Sequence, residues 1–207
     1  MKYITVKSPV KCSFTEKRSE FIGHICPAET NDEAVAFINS IKEQHRKAKH
    51  NVYAYILQND NITRYSDDGE PQGTAGIPVL DVLQKNGLTD VCCVVTRYFG
   101  GILLGGGGLV RAYSHSAALA VEAAEILRMY SCTTLKLTVP YDLYGKITYI
   151  LPDYEIKVLD TGYANDVTIT LNVKSELEKP FTDKLTDITF GKIIIERAAE
   201  TFDNFPQ

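Results

Sequence analysis

There is no tryptophan in these 207 residues, and methionine occurs only twice. Cysteine is scarce as well. The five cysteines (Cys12, Cys26, Cys92, Cys93, Cys132) are odd in number and show no Cys-x-x-Cys spacing. That excludes a disulfide framework and leaves them as small reduced hydrophobes. Apolar stretches such as Val91–Val95 and Ala117–Val121 fall far short of the ~20 residues that cross a bilayer, so no membrane partner is expected. Lys7 and Lys11 break up the segment where a secretory signal needs a continuous apolar core, which implies a cytoplasmic protein. Excess positive charge is missing too. With 22 basic and 26 acidic side chains the net charge is -4, which argues against holding nucleic acid by bulk electrostatics and leaves only a local basic patch. The ligand spacing of an EF-hand loop and the Cys-x-x-Cys pattern are absent, so no dedicated metal site and no cofactor is expected.

What remains is an ordinary globular composition, 44% hydrophobic and 23% charged, long enough for one large domain or two small ones. Phe14, Phe21, Ile22 and Ile25 lie in strand-forming stretches on either side of the polar turn Thr15–Ser19. Thr30 and Glu33 stand at capping-box spacing, and Ala34, Phe37, Ile38 and Ile41 recur at steps of three and four, which predicts a helix to about Ala48. Val52–Leu57 and Ile62–Tyr65, separated by Asn59-Asp60-Asn61, read as a hairpin. A short helix runs from Pro78 to about Lys85, closed by Asn86-Gly87. Val91–Thr96 shows no alternation, as suits a strand covered on both faces. Leu109–Leu127 is a long Ala-rich helical pattern.

The last third changes character. Residues 1–130 carry 14 basic and 14 acidic side chains, and residues 131–207 carry 8 and 12, so the negative balance lies entirely in the tail. This suggests two domains, 1–130 and 131–207. The tail reads as strand (Thr134–Val139), helix (Tyr141–Leu151), strand (Glu155–Leu159), strand (Val167–Val173), helix (Glu176–Asp187) and strand (Lys192–Ala198), the βαββαβ order of a ferredoxin-like domain. Ser175 and Glu178 repeat the capping-box spacing before the second helix.

Two segments could carry chemistry. Asp67, Asp68 and Glu70 crowd into a Gly- and Pro-rich stretch ending at Gly76, a loop that either presents oxygens to Mg²⁺ or forms a solvated turn. Arg97, Tyr98, Gly100, Gly101 and the tetraglycine Gly105, Gly106, Gly107, Gly108 lead from a buried strand into the long helix, followed by Arg111. Such a helix start aims unpaired N–H groups and the positive end of the dipole at one place, hospitable to an anion. The Walker pattern is absent because no Lys-Ser/Thr follows the glycines. The alternative is structural: glycines permit close packing or positive φ.

Among the histidines, His24 shares a strand face with Cys26 and reads as core, whereas His45 falls on the polar helix face. His50, beside Lys47 and Lys49, is the better functional candidate. His115 lies on the face of Arg111. The cluster Arg46-Lys47-Lys49-His50 could meet phosphates, with Tyr53, Tyr55, Tyr65 and Tyr98 stacking bases, or could simply answer a helix dipole.

Tyr65-Ser66-Asp67-Asp68-Gly69-Glu70-Pro71-Gln72-Gly73-Thr74-Ala75-Gly76, and Val95 through Gly101 with Gly108-Leu109-Val110-Arg111-Ala112-Tyr113, resemble the YigZ/IMPACT family. Phe21-Ile22-Gly23, Lys49-His50-Asn51 and Ala54-Tyr55 are similar to it as well. Glu20 and Val52 depart from it, standing where a basic residue and a cysteine are frequent. The resemblance implies an α+β protein: an N-terminal α/β domain of the ribosomal-protein domain 2-like type, shared with elongation factor G, and a C-terminal ferredoxin-like domain similar to another domain of that factor. It also implies a role in regulating translation, with RNA, the ribosome or a protein as partner. The leading expectation is a binding protein whose two motif loops hold a phosphate-bearing ligand. There Arg97 and Arg111 meet phosphate while Asp67, Asp68 and Glu70 orient the loops or hold a cation. The rivals are a Mg²⁺-dependent enzyme acting on a phosphorylated small molecule and a protein-docking regulator of translation.

Overall fold

The computed structural model describes residues 2–59 and 61–205. The chain forms two compact units, Tyr3–Leu127 and a second that begins at Arg128. In the first, β1 (Lys2–Val6) precedes the hairpin β2 (Val10–Glu16) and β3 (Ser19–Pro27), followed by α1 (Asn31–Gln44), β4 (His50–Leu57), β5 (Ile62–Ser66), α2 (Gly76–Lys85), β6 (Val91–Tyr98) and α3 (Gly106–Ala123). The hairpin reading of β4 and β5 holds, with Leu57 opposite Ile62; Asp60 of the expected turn lies outside the described residues. The sheet order is β2-β3-β6-β4-β5, with every pairing antiparallel.

The unalternating apolar run of β6 now has its reason. Val91, Cys93 and Val95 face a core closed by α2 and α3, through Val79, Leu83, Ala112, Tyr113 and Ala117. Cys92 and Val94 face the opposite layer, built on Ala34, Ile38 and Ile41 of α1. An antiparallel sheet with helices on both faces buries its central strand as fully as a parallel sheet does.

Helix ends differ from the sequence expectations. The Thr30 capping box is present, with the Thr30 hydroxyl accepting from Glu33 N at 3.2 Å and Glu33 Oε2 accepting from Thr30 N at 3.3 Å. However, α1 stops at Gln44 instead of about Ala48: His45 leaves helical geometry at φ -112° and ψ 40°. Its ring lies 5.2 Å from that of His24, and its Nδ1 is 3.0 Å from the Tyr98 hydroxyl, so His45 is half-buried against both instead of standing free on the polar helix face. The long helix begins at Gly106, inside the tetraglycine, and ends at Ala123 instead of Leu127, because Ala124 is already extended and Ile126 opens the next strand.

The second unit contains β7 (Ile126–Val139), α4 (Tyr141–Ile150), β8 (Lys157–Tyr163), β9 (Val167–Lys174), α5 (Glu178–Ile188) and β10 (Ile194–Asn204). The strands pair in the order β10-β7-β9-β8, antiparallel throughout, which is the ferredoxin-like arrangement. Leu143, Ile147, Phe181 and Leu185 of the two helices bury one sheet face against Leu135, Leu137, Ile169 and Leu171. The second expected capping box does not form. Leu177 holds the cap position without a side-chain bond, Ser175 Oγ lies 3.0 Å from Ser131 Oγ, and Glu178 accepts from Thr133 Oγ1 and Arg197. The Arg197 hydrogen bond holds the Glu178 carboxyl below its usual range. A tertiary cation outcompetes the local backbone for that carboxylate.

Candidate functional site

The acidic loop is organised by its own polypeptide. Asp67 accepts three backbone N–H bonds, from Gly73 at 2.9 Å, Ala75 at 3.0 Å and Gly76 at 2.8 Å, and so ties the loop to the start of α2. Asp68, at φ 44°, accepts from Asn51 N at 2.7 Å and from Lys42 Nζ at 2.9 Å. Its carbonyl accepts the Nδ1–H of His50 at 2.9 Å, while His50 Nε2 stands 3.9 Å from Glu70. Glu70 points inward. Its Oε1 accepts from Arg97 Nη1 and from the Tyr113 hydroxyl, each at 2.7 Å. Burial first, and then the Glu70 charge, push the Tyr113 phenol well above its usual range.

The two motif segments are therefore neighbours, joined through Glu70, Arg97 and Tyr113. Arg97 nevertheless fills a different place from the one expected. It is only 5% exposed, it spends its charge on Glu70, and its guanidinium lies 5.5 Å from the Phe21 and Phe99 rings. A phosphate contact at Arg97 gives way to an internal one, and the carboxylates expected to hold a cation are engaged by protein donors. Tyr98 is half-buried against His45. The Gly100 amide donates to Ser19 Oγ at 3.2 Å, and Gly101 is exposed at φ 85°.

The glycines around the start of α3 are of two kinds. Gly105 caps the helix at φ 72°, a conformation L side chains resist. Gly106 and Gly107 are helical and exposed. A β-carbon on Gly106 meets only Thr74 Cγ2, at 3.9 Å, and one on Gly107 only the Arg111 guanidinium, at 3.7 Å. Neither positive φ nor packing accounts for them, and no side chain caps the helix. Gly108 is tighter, with Leu104 Cβ 3.0 Å from the corresponding position. Arg111 is exposed, and among the described residues it has no ion-pair partner. Beside it lies a cleft of about 270 Å³, walled by Phe14, Glu16 and Lys17 of the β2–β3 hairpin and by Leu104, Gly108 and His115. Lys17 and Phe14 were not read as site residues from the sequence. Only the hairpin register brings them to α3.

The His24–Cys26 pair is core, as the strand face suggested. Burial pushes the Cys26 thiol up to about 12, which removes it as a nucleophile at neutral pH. Burial, together with the nearby His45 and Lys11, pushes His24 down to about 4. An unfolded histidine titrates near 6.5, so between those values the unfolded chain takes up a proton that the folded chain refuses. The His24 contribution is thus intact above about pH 6.5 and is lost as pH falls towards 4, by roughly 2–3 kcal/mol. Urea midpoints measured across that window should fall more steeply for the native chain than for His24→Leu.

Comparison with known proteins supplies kinship. The Impact N-terminal domain matches residues 17–121, and a domain of unknown function, DUF1949, matches residues 137–192. The IMPACT family member YvyE of Bacillus subtilis is 37% identical over 201 residues, covering 97% of this chain and 93% of that protein. The IMPACT family member YigZ of Escherichia coli is 31% identical over 189 residues, covering 90% of this chain and 93% of that protein. A solved structure described as that of a hypothetical protein superposes with a TM-score of 0.62 at 30% identity, covering 96% of this chain and 98% of that one. Among the described residues no helix is long and apolar enough to cross a membrane.

Proposed function

Since the chain belongs to the IMPACT family, we propose that it is a translation-associated binding protein that holds a phosphate-bearing partner, RNA of the translation machinery, at the start of α3. The observation that carries this reading is the pair Gly106 and Gly107. Glycine in a helix costs up to about 1 kcal/mol relative to alanine, and nothing in the fold presses on these two positions. A ligand that must approach the backbone closely explains them. In this reading the open amides and dipole of the helix start meet phosphate oxygens together with Arg111 and Lys17 of the adjoining cleft, whose lining also includes the Glu16 carboxylate. Arg97, Glu70 and the two aspartates frame the site from within, so the binding reading is preferred over Mg²⁺-assisted turnover by those carboxylates.

Two experiments test this. Gly107→Ala should leave the protein equally or more stable, by up to about 1 kcal/mol, while weakening RNA or ribosome co-sedimentation. Arg111→Ala with Lys17→Ala should weaken binding and lower the slope of log affinity against log salt by about 0.7–0.9 per lost contact. Unchanged affinity and slope in that double variant would falsify the reading.

A second reading, docking of a protein partner, is favoured by one feature of the same loop. Phe99, Ile102 and Leu103 are 51%, 40% and 83% exposed, an apolar ridge beside the cationic helix start. Partner capture that survives nuclease treatment and is abolished by Leu103→Asp supports this reading over RNA.

A further inference from the structure

A second cleft of the N-terminal unit, about 230 Å³, lies between β2, β3 and α1. Its apolar wall is Pro9, Val10, Phe37 and Ile41, and its polar lining is Lys11, His24, Ser40 and Gln44. None of these residues belongs to the motif loops. Lys11 is the one formally charged group in the lining, and no carboxylate shares it.

His24 is the telling member. It is only 4% exposed, and its Nε2 is buried without a hydrogen-bond partner. A buried nitrogen left unsatisfied is unfavourable, and most such groups in native proteins have a partner. No group around it bonds to it. The neighbouring His45 ring, at 5.2 Å, has its Nδ1 engaged with the Tyr98 hydroxyl. Ser40 donates its hydroxyl hydrogen to the Phe37 carbonyl at 2.7 Å. Lys11 stands directly opposite His24 in the β2–β3 register, so its ammonium and the imidazole share one face of the hairpin. With the ring proton on Nε2, His24 adds an unused donor beside that ammonium, and an anion answers both.

We propose that this cleft binds a small monocarboxylic acid with an apolar body. The carboxylate lies between the Lys11 ammonium and the His24 imidazole, and the hydrocarbon part packs on Phe37, Val10 and Ile41. The volume sets the size class, since drug-sized and nucleotide ligands occupy cavities of roughly 300–1,000 Å³. A branched short-chain acid fits where a nucleotide does not. The site is independent of the RNA reading, because it uses neither α3 nor the glycine segment.

The test uses the full-length chain with isovalerate as probe and isovaleramide as its uncharged isostere, followed by NMR of the histidine and phenylalanine side chains. Isovalerate is expected to shift His24 and Phe37 resonances saturably in the millimolar range. The amide and the surface variant Lys11→Met should each bind at least about tenfold more weakly, a difference of 1.4 kcal/mol. A bound carboxylate also favours protonated His24, so its NMR titration midpoint should rise when isovalerate is present. Absence of saturable shifts, equal binding of the amide, or binding unaffected by Lys11→Met would each overturn the proposal. Because Lys11 is exposed, its variant tests the site even if His24→Phe does not fold.

Discussion

Arg97→Ala should destabilise the N-terminal unit by about 3–5 kcal/mol, a large share of the roughly 5–15 kcal/mol by which a typical domain is stable. The cause is not the loss of an attraction alone. Glu70 is 4% exposed at its side chain and Arg97 is 6% exposed, so truncating the arginine strands a carboxylate in a site that no longer compensates it. Tyr113 still donates one bond to Glu70, which is insufficient for an ionised group out of water. The aromatic contacts of the guanidinium with Phe21 and Phe99 disappear as well. Arg97→Met combined with Glu70→Gln should be markedly more stable than either single variant, because the pair is removed together. Urea unfolding of the four proteins measures the coupling. Additive losses would mean that the pair is not the unit of stability described above. The same series separates structure from binding, since Arg111→Ala should leave stability within about 0.5 kcal/mol of the native protein.

Gly100→Ala should be comparably damaging, at about 3 kcal/mol or more, through overpacking. A β-carbon there lands 1.9 Å from the Arg18 carbonyl oxygen and 2.5 Å from Ser19 N. Those are backbone atoms at the tip of the β2–β3 hairpin, so no side-chain rotation relieves the clash. The tip must separate from the motif loop, breaking the Gly100 amide bond to Ser19 Oγ. Gly101→Ala is the informative neighbour. It has open space around it but a φ of 85°, so its cost is backbone strain, about 1–2 kcal/mol. Thermal unfolding should therefore rank Gly100→Ala as the worse of the two. The reverse order would show that close approach does not govern this loop.

The two units differ in how much of them could be read in advance. The βαββαβ order of the second was visible in alternating apolar residues, because strand and helix periods are local properties of consecutive positions. Its capping box was not, since Ser175 and Glu178 had the right spacing but found partners in Ser131, Thr133 and Arg197 of other strands. In the first unit the Thr30 box forms, with Glu33 accepting from the Glu29 and Thr30 amides. The C-terminus of α1 was missed for the same kind of reason, as His45 turned to meet His24 and Tyr98.

At the candidate site, kinship and the crowding of carboxylates, arginines and glycines into two stretches were plain from the residues. Which way each charge points was not. Arg97 pairs in register with Phe21 and His50 near the end of a strand buried on both faces. That register turned it towards Glu70 and away from solvent, leaving Arg111 and the unforeseen Lys17 at the surface.

Element types, the family motifs and the chemistry on offer follow from neighbours along the chain, whose spacing sets periodicity and capping. The partner of each charge, the ends of the helices and the clefts at Arg111 and His24 came from long-range packing. The energy of a buried ion pair depends on what surrounds it in space, and residues 27 positions apart, as Glu70 and Arg97 are, carry no local sign of that meeting.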